Sequence, residues 1–328
     1  MILLFGRVVD PIIASLSLHL IDLEAPFAIV DPGREGLLDL EWKTQNGVLS
    51  GTVQIGERVV AAQDIQSMFI REIGWSSEQA TLPASNYSRA RAESLWAMTD
   101  AFHGLVMNRR LAVCTNASKP YQLELIHRHG FHVPQTLVTT DANAALSFWE
   151  EQRHDVIYKS LSSERSIVKP LQHSDLGRLE VIRHCPVQLQ QRVDGVDIRV
   201  HVVGERVFAT EIRSTVPDYR YAERDGADRQ MRPIELPLEI AAQCRSLTRA
   251  LGLVLSGVDL RRTSEGSYYC FEVNPSPAYL WFEDITGQRI GAAVASLLAR
   301  GEVQERHQHE EGGSHHGRAH SCLASTVH

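Results

Sequence analysis

Two polar side chains interrupt an apolar, strand-like segment near residue 270. Glu272 and Asn274 are two residues apart, so on a strand both point to one face, while Phe271 and Val273 point to the other. Asp259, in the preceding predicted strand, can add a second carboxylate by cross-strand pairing. Oxygen ligands without His or Cys suit Mg²⁺, which usually takes its remaining ligands from water and substrate phosphates. Two solvated side chains on a surface strand are the alternative on spacing alone.

Basic side chains occur where predicted strands and helices begin or end. Lys119 begins a predicted helix and Lys159 ends a short apolar strand. Arg199 shares a strand face with His201, and Arg213 closes the next strand. If these strands pair, both guanidinium groups can meet one anion with bidentate geometry. Ordinary surface lysines and a surface ladder of charged residues are the alternatives, and such a ladder contributes little energy.

The elements that must position these residues form three units and a tail. Residues 1–112 predict a doubly wound α/β unit, because strands alternate with helices. Residues 113–185 form a second unit with two helices and two strands. Residues 186–303 are rich in strands, which predicts an antiparallel sheet with one covered face. Residues 304–328 are polar, aperiodic and rich in Gly, Ser and His; we expect a disordered, solvated tail, with transition-metal binding as the alternative.

Hydrophobic periodicity and turn residues predict the individual elements. In the first unit they indicate strands at 1–5, 26–30 and 64–71, and a hairpin at 48–60. An early helix is predicted to bury Ile12, Ile13, Leu16 and Leu20. A long helix from about residue 85 is predicted to bury Leu95, Met98, Phe102, Leu105 and Val106. Later helices are predicted at 119–129, 141–152, 238–251 and 289–300, with a hairpin turn at Gly204–Glu205.

Composition excludes several classes of protein. The net charge is −7, which argues against nucleic acid or an anionic membrane as the main partner. No apolar run approaches the roughly 20 residues needed to cross a bilayer. The first ten residues have neither a basic region nor a cleavage site typical of a signal peptide. Five scattered cysteines without metal spacing fit a reduced compartment, so we expect a cytoplasmic protein.

The order of these segments resembles the ATP-grasp superfamily, specifically the RimK-like ligases and the microviridin-type peptide maturases (graspetide synthetases). Seven segments between residues 113 and 300 carry the resemblance. They are Asn116–Pro120 with Pro134 and Thr136, Val156–Lys159, Leu189–Val193, Asp197–Val200, Arg213, Gly257–Asp259 and Glu272–Asn274. No segment is decisive alone, but seven in the correct order are specific.

The resemblance implies two α+β lobes that clasp ATP, preceded by a pre-ATP-grasp domain in residues 1–112. Lys119 and Lys159 would hold the phosphates, and Arg199 and Arg213 the transferring phosphoryl group and the acyl phosphate. The hinge, with Gln190, Gln191 and Val193, would pair with adenine, and Asp197 would lie near the ribose. One or two Mg²⁺ ions would be bound by Asp259, Glu272 and Asn274.

The implied activity is that of an ATP-dependent carboxylate–amine or carboxylate–hydroxyl ligase acting through an acyl phosphate. The substrate would be a peptide or amino acid, with a precursor peptide among the candidates. A nucleotide-binding module without turnover is the alternative. The oligomeric state is open, and a homodimer is one option. The serine-rich loop 160–166 lacks the glycines common in the family, and Gln191 stands where the family often has glutamate.

Three further side chains have open roles. Arg71 either meets a substrate carboxylate or forms a salt bridge between domains. Tyr279 and Trp281 either line the substrate site or pack in a core. His201 is a candidate base only through its shared face with Arg199, and an ordinary strand histidine is the alternative.

Overall fold

The computed structural model describes residues 1–31, 38–46, 48–71, 94, 96–97, 99–160, 168–214 and 229–301. Residues 161–166 of the serine-rich loop, the tail and the first part of the predicted long helix lie outside these residues.

The first unit is built on a four-stranded parallel sheet of order β2-β1-β6-β7. Its strands are β1 (Ile2–Phe5), β2 (Phe27–Val30), β6 (Ser67–Ile70) and β7 (Leu105–Met107). Helix α1 (Pro11–Asp22) begins at Asp10, whose carboxylate accepts a hydrogen bond from the Ile12 amide at 2.8 Å. The four apolar residues predicted to face inward on α1 are buried.

Leu105 and Val106 were predicted to lie on a helix, and this prediction is wrong. They form β7, which pairs with β6. A run of three apolar residues fits a buried parallel strand as well as a helix face, and only the neighbouring strand decides between them.

A three-stranded antiparallel meander covers one face of the parallel sheet. It consists of β3 (Leu38–Gln45), β4 (Val48–Ile55) and β5 (Arg58–Ala61). The predicted hairpin between β4 and β5 is confirmed, and Gly56 in its turn has φ 60°, which favours glycine. The alternation in β1 serves both faces, since Leu3 packs towards the meander and Leu4 towards α1.

The second unit is a four-stranded sheet of order β10-β9-β11-β8. Its strands are β8 (Thr136–Thr139), β9 (Val156–Ser160), β10 (Lys169–Pro170) and β11 (Val187–Gln191). Helix α4 (Ala142–Glu151) and 3-10 turns over His173–His184 cover one face. Strand β11 lies after the boundary predicted at residue 185 and pairs with β8 and β9 of this sheet.

The third unit is a five-stranded antiparallel sheet of order β14-β13-β12-β15-β16. Its strands are β12 (Val196–Val203), β13 (Arg206–Ser214), β14 (Arg229–Ile234), β15 (Leu255–Arg262) and β16 (Tyr268–Asn274). Helix α5 (Leu238–Ala250) packs on one face. Together with it packs α3 (Lys119–Arg128), which follows the short helix α2 (Arg110–Val113). The sequence pattern assigned α3 to the second unit, but its apolar side belongs to the core of the third.

Helices α6 (Leu280–Thr286) and α7 (Ile290–Arg300) pack on the opposite face of the five-stranded sheet. Both faces of that sheet are therefore partly covered, where one covered face was predicted. Helix α7 also packs against α1, and a single core contains Leu4, Leu16, Phe282 and Leu298. The first and third units thus share a hydrophobic core.

Candidate active site

The strand register brings the three predicted metal ligands onto one face of the five-stranded sheet. Asp259 of β15 lies directly opposite Glu272 of β16, and Gly257 opposite Asn274. The register shifts after Asp259, which leaves Phe271 as the extra residue of a β-bulge. Two carboxylates and one amide oxygen, all partly exposed, form a donor set that fits Mg²⁺. Among the described residues, no group of three or more His, Cys, Asp or Glu side chains is placed to hold a metal ion, so the amide is needed to complete this set.

Arg199 lies in the same row of the sheet, between Thr210 and Asp259. Its Nη1 donates a hydrogen bond to Asp259 Oδ1 at 2.5 Å, and its side chain is only 8% exposed. Gly257 makes room for it, because a Cβ at that position would lie 2.3 Å from Arg199 Nη2. The glycine therefore lets the guanidinium lie flat over the strand, beside the carboxylates.

His201 lies one row further, opposite Gly257, and is fully buried. Its ring packs edge-on against Phe282, with centroids 4.8 Å apart, and neither nitrogen has a hydrogen-bond partner among the described residues. Burial, and secondarily the charge of Arg199, holds the pKa of His201 well below its usual range. The imidazole is thus neutral at physiological pH and lies beside Arg199 on the same face of β12.

The four-stranded sheet presents a polar face formed by alternate residues of three strands. Lys159 lies opposite Gln188 and on the same face as Gln190 and Thr136. All but Thr136 are buried, and Lys159 Nζ is 3.5 Å from Gln190 Oε1. Gln190 in turn donates to Thr136 Oγ1 at 3.0 Å. Leu189, between the two glutamines, points into the apolar core under α4. This face therefore presents the ammonium group of Lys159 and the amide groups of Gln188 and Gln190.

The predicted hinge connects the two sheets. The backbone amide of Gln191 donates to the backbone carbonyl of Gln135 at 2.8 Å. The backbone carbonyl of Val193 accepts from Arg261 Nη1 at 2.8 Å. Arg261 also contacts Asp197 Oδ1 at 2.7 Å, so Asp197 is an ion-pair partner on the site side of β12. Lys119 is half-buried at the first turn of α3.

Arg213 does not accompany Arg199. Arg199 pairs with Thr210, and Arg213 is three residues further along β13, so its side chain belongs to the opposite face. There it donates from Nε to Glu211 Oε1 at 3.0 Å. The expectation that both arginines meet one anion is not met in this structure. The hairpin turn predicted at Gly204–Glu205 already implied this register, and strand parity was the signal to use.

The remaining predicted side chains divide between core and interface. Tyr279 is fully buried, and burial raises the pKa of its hydroxyl. Trp281 packs under Arg229, whose guanidinium carbon lies 4.0 Å from the ring centroid. Arg71 pairs with Asp10 at 3.1 Å and donates to Ser276 Oγ at 2.8 Å, so it joins the first unit to the segment after β16. Sequence reasoning missed Asn108 and Gln122, whose amide side chains bind this same region.

Solved structures with the same fold identify the architecture. The macrocyclase MdnC from Microcystis aeruginosa MRC, bound with precursor peptide MdnA, is 21% identical; the match covers 91% of this chain and 99% of that one, with a TM-score of 0.75. The ATP-grasp ligase PsnB, complexed with a phosphomimetic variant of a minimal precursor, Mg and ADP, is 24% identical; coverage is 92% and 98%, and the TM-score is 0.76. At these identities the likeness establishes the fold, which is ATP-grasp.

Sequence comparison then gives the family. The RimK-like ATP-grasp domain matches residues 117–298, more than half of the chain, and the chain belongs to this family. The probable alpha-L-glutamate ligase of Pasteurella multocida (strain Pm70) is 27% identical over 191 residues, which is 55% of this chain and 60% of that protein. That of Trichodesmium erythraeum (strain IMS101) is 28% identical over 206 residues, or 59% and 67%. The chain thus spans about 60% of the first of these relatives. No helix in its described residues is long and apolar enough to cross a membrane.

Proposed function

We propose that this chain is an ATP-dependent ligase that activates a carboxylate as an acyl phosphate and transfers it to an amine or hydroxyl, releasing ADP and phosphate. The observation that carries the proposal is the row formed by Arg199, Asp259 and Glu272, with Asn274 beside it on the same sheet face. A divalent cation on these oxygens would screen the phosphate charges during in-line phosphoryl transfer.

The two lobes supply the remaining groups. Lys159, on the polar face of the smaller sheet, would bind phosphate oxygens, and Lys119 would add a second cation. The hinge at 190–193 would meet the adenine, with Asp197 on the ribose side. Arg199 would stabilise the transferring phosphoryl group, because its guanidinium is held beside the metal carboxylates. Arg213 would take part only if its contact with Glu211 breaks, so we give it no step.

A peptide is the proposed substrate. The support is the likeness to MdnC and PsnB, which covers 91% and 92% of this chain. The MdnC structure was solved with precursor peptide MdnA, and the PsnB structure with a minimal precursor. Addition of free glutamate to a peptide is a second candidate, favoured by the relatives named as probable glutamate ligases. Mass spectrometry separates the two, because internal ligation removes one water from the peptide whereas glutamate addition increases its mass by one glutamyl residue.

The class of reaction is tested by product analysis with purified chain, ATP, Mg²⁺ and peptides that carry acidic and nucleophilic side chains. We expect ADP and phosphate in step with the ligated product. AMP and pyrophosphate would contradict the acyl-phosphate route. If the chain binds nucleotide but shows no turnover with any peptide or with glutamate, the alternative of a nucleotide-binding module without turnover is supported.

Substitution of the metal carboxylates tests the site itself. We expect Asp259→Asn and Glu272→Gln each to reduce turnover at least about 100-fold, since each removes a hard anionic ligand. The melting temperature should be unchanged in Glu272→Gln and should fall in Asp259→Asn, because Asp259 is the ion-pair partner of the buried Arg199 side chain. Glu265→Gln is the matched control, because Glu265 is an exposed carboxylate in the turn of the same β15–β16 hairpin. Full turnover in both site variants would refute the metal assignment.

A further inference from the structure

The segment that carries Asn274 is held by side chains from outside its own sheet. Strand β16 is the last strand of its sheet among the described residues, and it ends at Asn274. Pro275 and Pro277 follow, and neither has an amide hydrogen for a further ladder bond. The direction of the chain after Asn274 must therefore be set by other contacts.

Gln122 of α3 makes the first of these contacts. Its Nε2 donates to the Val273 carbonyl and its Oε1 accepts from the Val273 amide, both at 2.9 Å. The side chain is buried and reproduces the two bonds that a neighbouring strand would make. Val273, the residue immediately before Asn274, pairs with Val258 of β15 and is thus also fixed to a helix.

Asn108, directly after β7 of the first unit, makes the second contact. It is 3% exposed, and its Nδ2 donates to the carbonyls of Pro275 and Leu255, both at 2.6 Å. Its Oδ1 accepts from the Val254 and Leu255 amides at 2.8 and 3.2 Å. One amide group therefore joins the start of β15 to the end of β16, the two strands that carry the proposed metal ligands.

Arg71, also in the first unit, makes the third contact. Its Nη1 donates to Ser276 Oγ at 2.8 Å, while its Nε donates to Asp10 Oδ2 at 3.1 Å. The Ser276 amide donates to Asn274 Oδ1 at 2.8 Å. The orientation of the Asn274 amide is thus tied to Ser276, and Ser276 is tied to Arg71.

We propose that Asn108 and Arg71 are positioning residues for the magnesium–nucleotide site, through which the first unit fixes Asn274 relative to Asp259 and Glu272. This inference rests on the proposed function. In the competing account, Asn108 and Arg71 only hold the first and third units together, as other side chains also do. Gln66 Nε2 donates to the Ala299 carbonyl at 2.7 Å, and Ser67 Oγ donates to that of Leu298 at 2.8 Å. Both contacts end in the last turn of α7, not on β15 or β16, the two strands that carry the proposed metal ligands.

The test measures metal-dependent ADP binding by calorimetry and Mn²⁺ binding by electron paramagnetic resonance, in the full chain. For Asn108→Ala and Arg71→Gln we expect ADP affinity without metal to be unchanged and the half-saturating metal concentration to rise roughly tenfold, the effect typical of losing a supporting contact around metal ligands. Arg71→Lys keeps a donor for Ser276 and should recover most of the loss. Gln66→Ala is the matched control and should show no shift.

Each outcome decides between the accounts. An unchanged metal requirement in both Asn108→Ala and Arg71→Gln, or an equal shift in Gln66→Ala, would overturn the positioning role. If Asn108→Ala does not fold, Arg71→Gln and Ser276→Ala still test the Arg71–Ser276–Asn274 connection. Wild-type ADP binding that ignores metal, and is unaffected by Asp259→Asn, would overturn the proposed function as well. Metal-dependent wild-type binding without a shift in the variants would overturn this inference alone.

Discussion

The position of Arg199 depends on the absence of a side chain at Gly257. Its guanidinium occupies the space over Gly257 and contacts Asp259, while the neutral ring of His201 packs beside it. A cation buried next to a second positive charge would be costly, and the low pKa of His201 avoids that cost. Glycine is needed at position 257 because it has no side chain and so leaves room for Arg199. Its backbone conformation does not require glycine, because its φ is not positive.

Gly257→Ala tests this arrangement. The added methyl group would lie 2.3 Å from Arg199 Nη2, so the guanidinium must move away from Asp259. A displacement of about 1 Å at a reacting centre costs roughly 100-fold in rate, and we expect turnover to fall by about that factor. Gly177→Ala is the control, because nothing lies within 4 Å of a Cβ there. Steady-state kinetics and thermal melting of both variants provide the measurement; unchanged turnover in Gly257→Ala would contradict the proposed role of Arg199.

At the scale of elements, strands β13, β14 and β15 are joined by one buried carboxylate on the face opposite the site. Glu211, with a side chain only 1% exposed, accepts hydrogen bonds from Arg213, Arg232 and Arg262 at 2.9 to 3.0 Å. Burial acts to raise the pKa of Glu211, but the hydrogen bonds and charges of Arg213 and Arg232 hold it below its ordinary value of 4.5. The cluster is best understood as a junction of three strands.

Glu211→Gln should therefore destabilise the fold in a pH-dependent way. At about pH 7 we expect the free energy of unfolding to fall by about 2 kcal/mol. The loss is no larger because the guanidinium groups left without their carboxylate remain in contact with water. A carboxylate whose pKa is lowered on folding stabilises above its unfolded pKa, and this stability is lost as pH falls through the folded pKa. The difference between wild type and variant should shrink below about pH 4.

Chemical denaturation at several pH values measures that difference. Glu124→Gln is the control, since Glu124 and Arg128 form an exposed pair on α3 whose loss should change stability little. A difference that grows on acidification would reverse the sign predicted for Glu211.

At the scale of the whole molecule, helix α7 completes the core of the first unit. Leu298 and Val294 are fully buried in the core that also contains Leu4 and Leu16. The parallel sheet of the first unit therefore buries one face against α1 and α7 together. We expect the two units to unfold in one cooperative transition, because neither can keep this core dry alone.

Leu298→Ala tests the shared core. Removing a fully buried leucine side chain typically costs about 3 kcal/mol, so the melting temperature should fall while the transition stays single. Leu111→Ala, at a position 68% exposed, should have almost no effect. Calorimetry showing two separate transitions, with only the later one shifted, would contradict a shared core.

Short-range pattern was sufficient for much of this protein. The period of two in β16 puts Glu272 and Asn274 on one face whatever surrounds the strand, and the apolar spacing of α1 dictates its buried side. The order of the polar segments was sufficient to indicate the family. The helix predicted at Leu105 and Val106 was wrong because a short apolar run has no period that distinguishes a helix from a strand.

Only the tertiary structure decided which distant residues meet. The bulge that aligns Asp259 with Glu272, the place of Arg199 above Gly257, and the contacts of Asn108 and Arg71 join positions far apart in the chain. Such pairs follow from strand register and from packing between units, which local periodicity does not encode. The sequence alone determined which chemical groups are available, and the packing of the first unit against the last two strands decided how they are held.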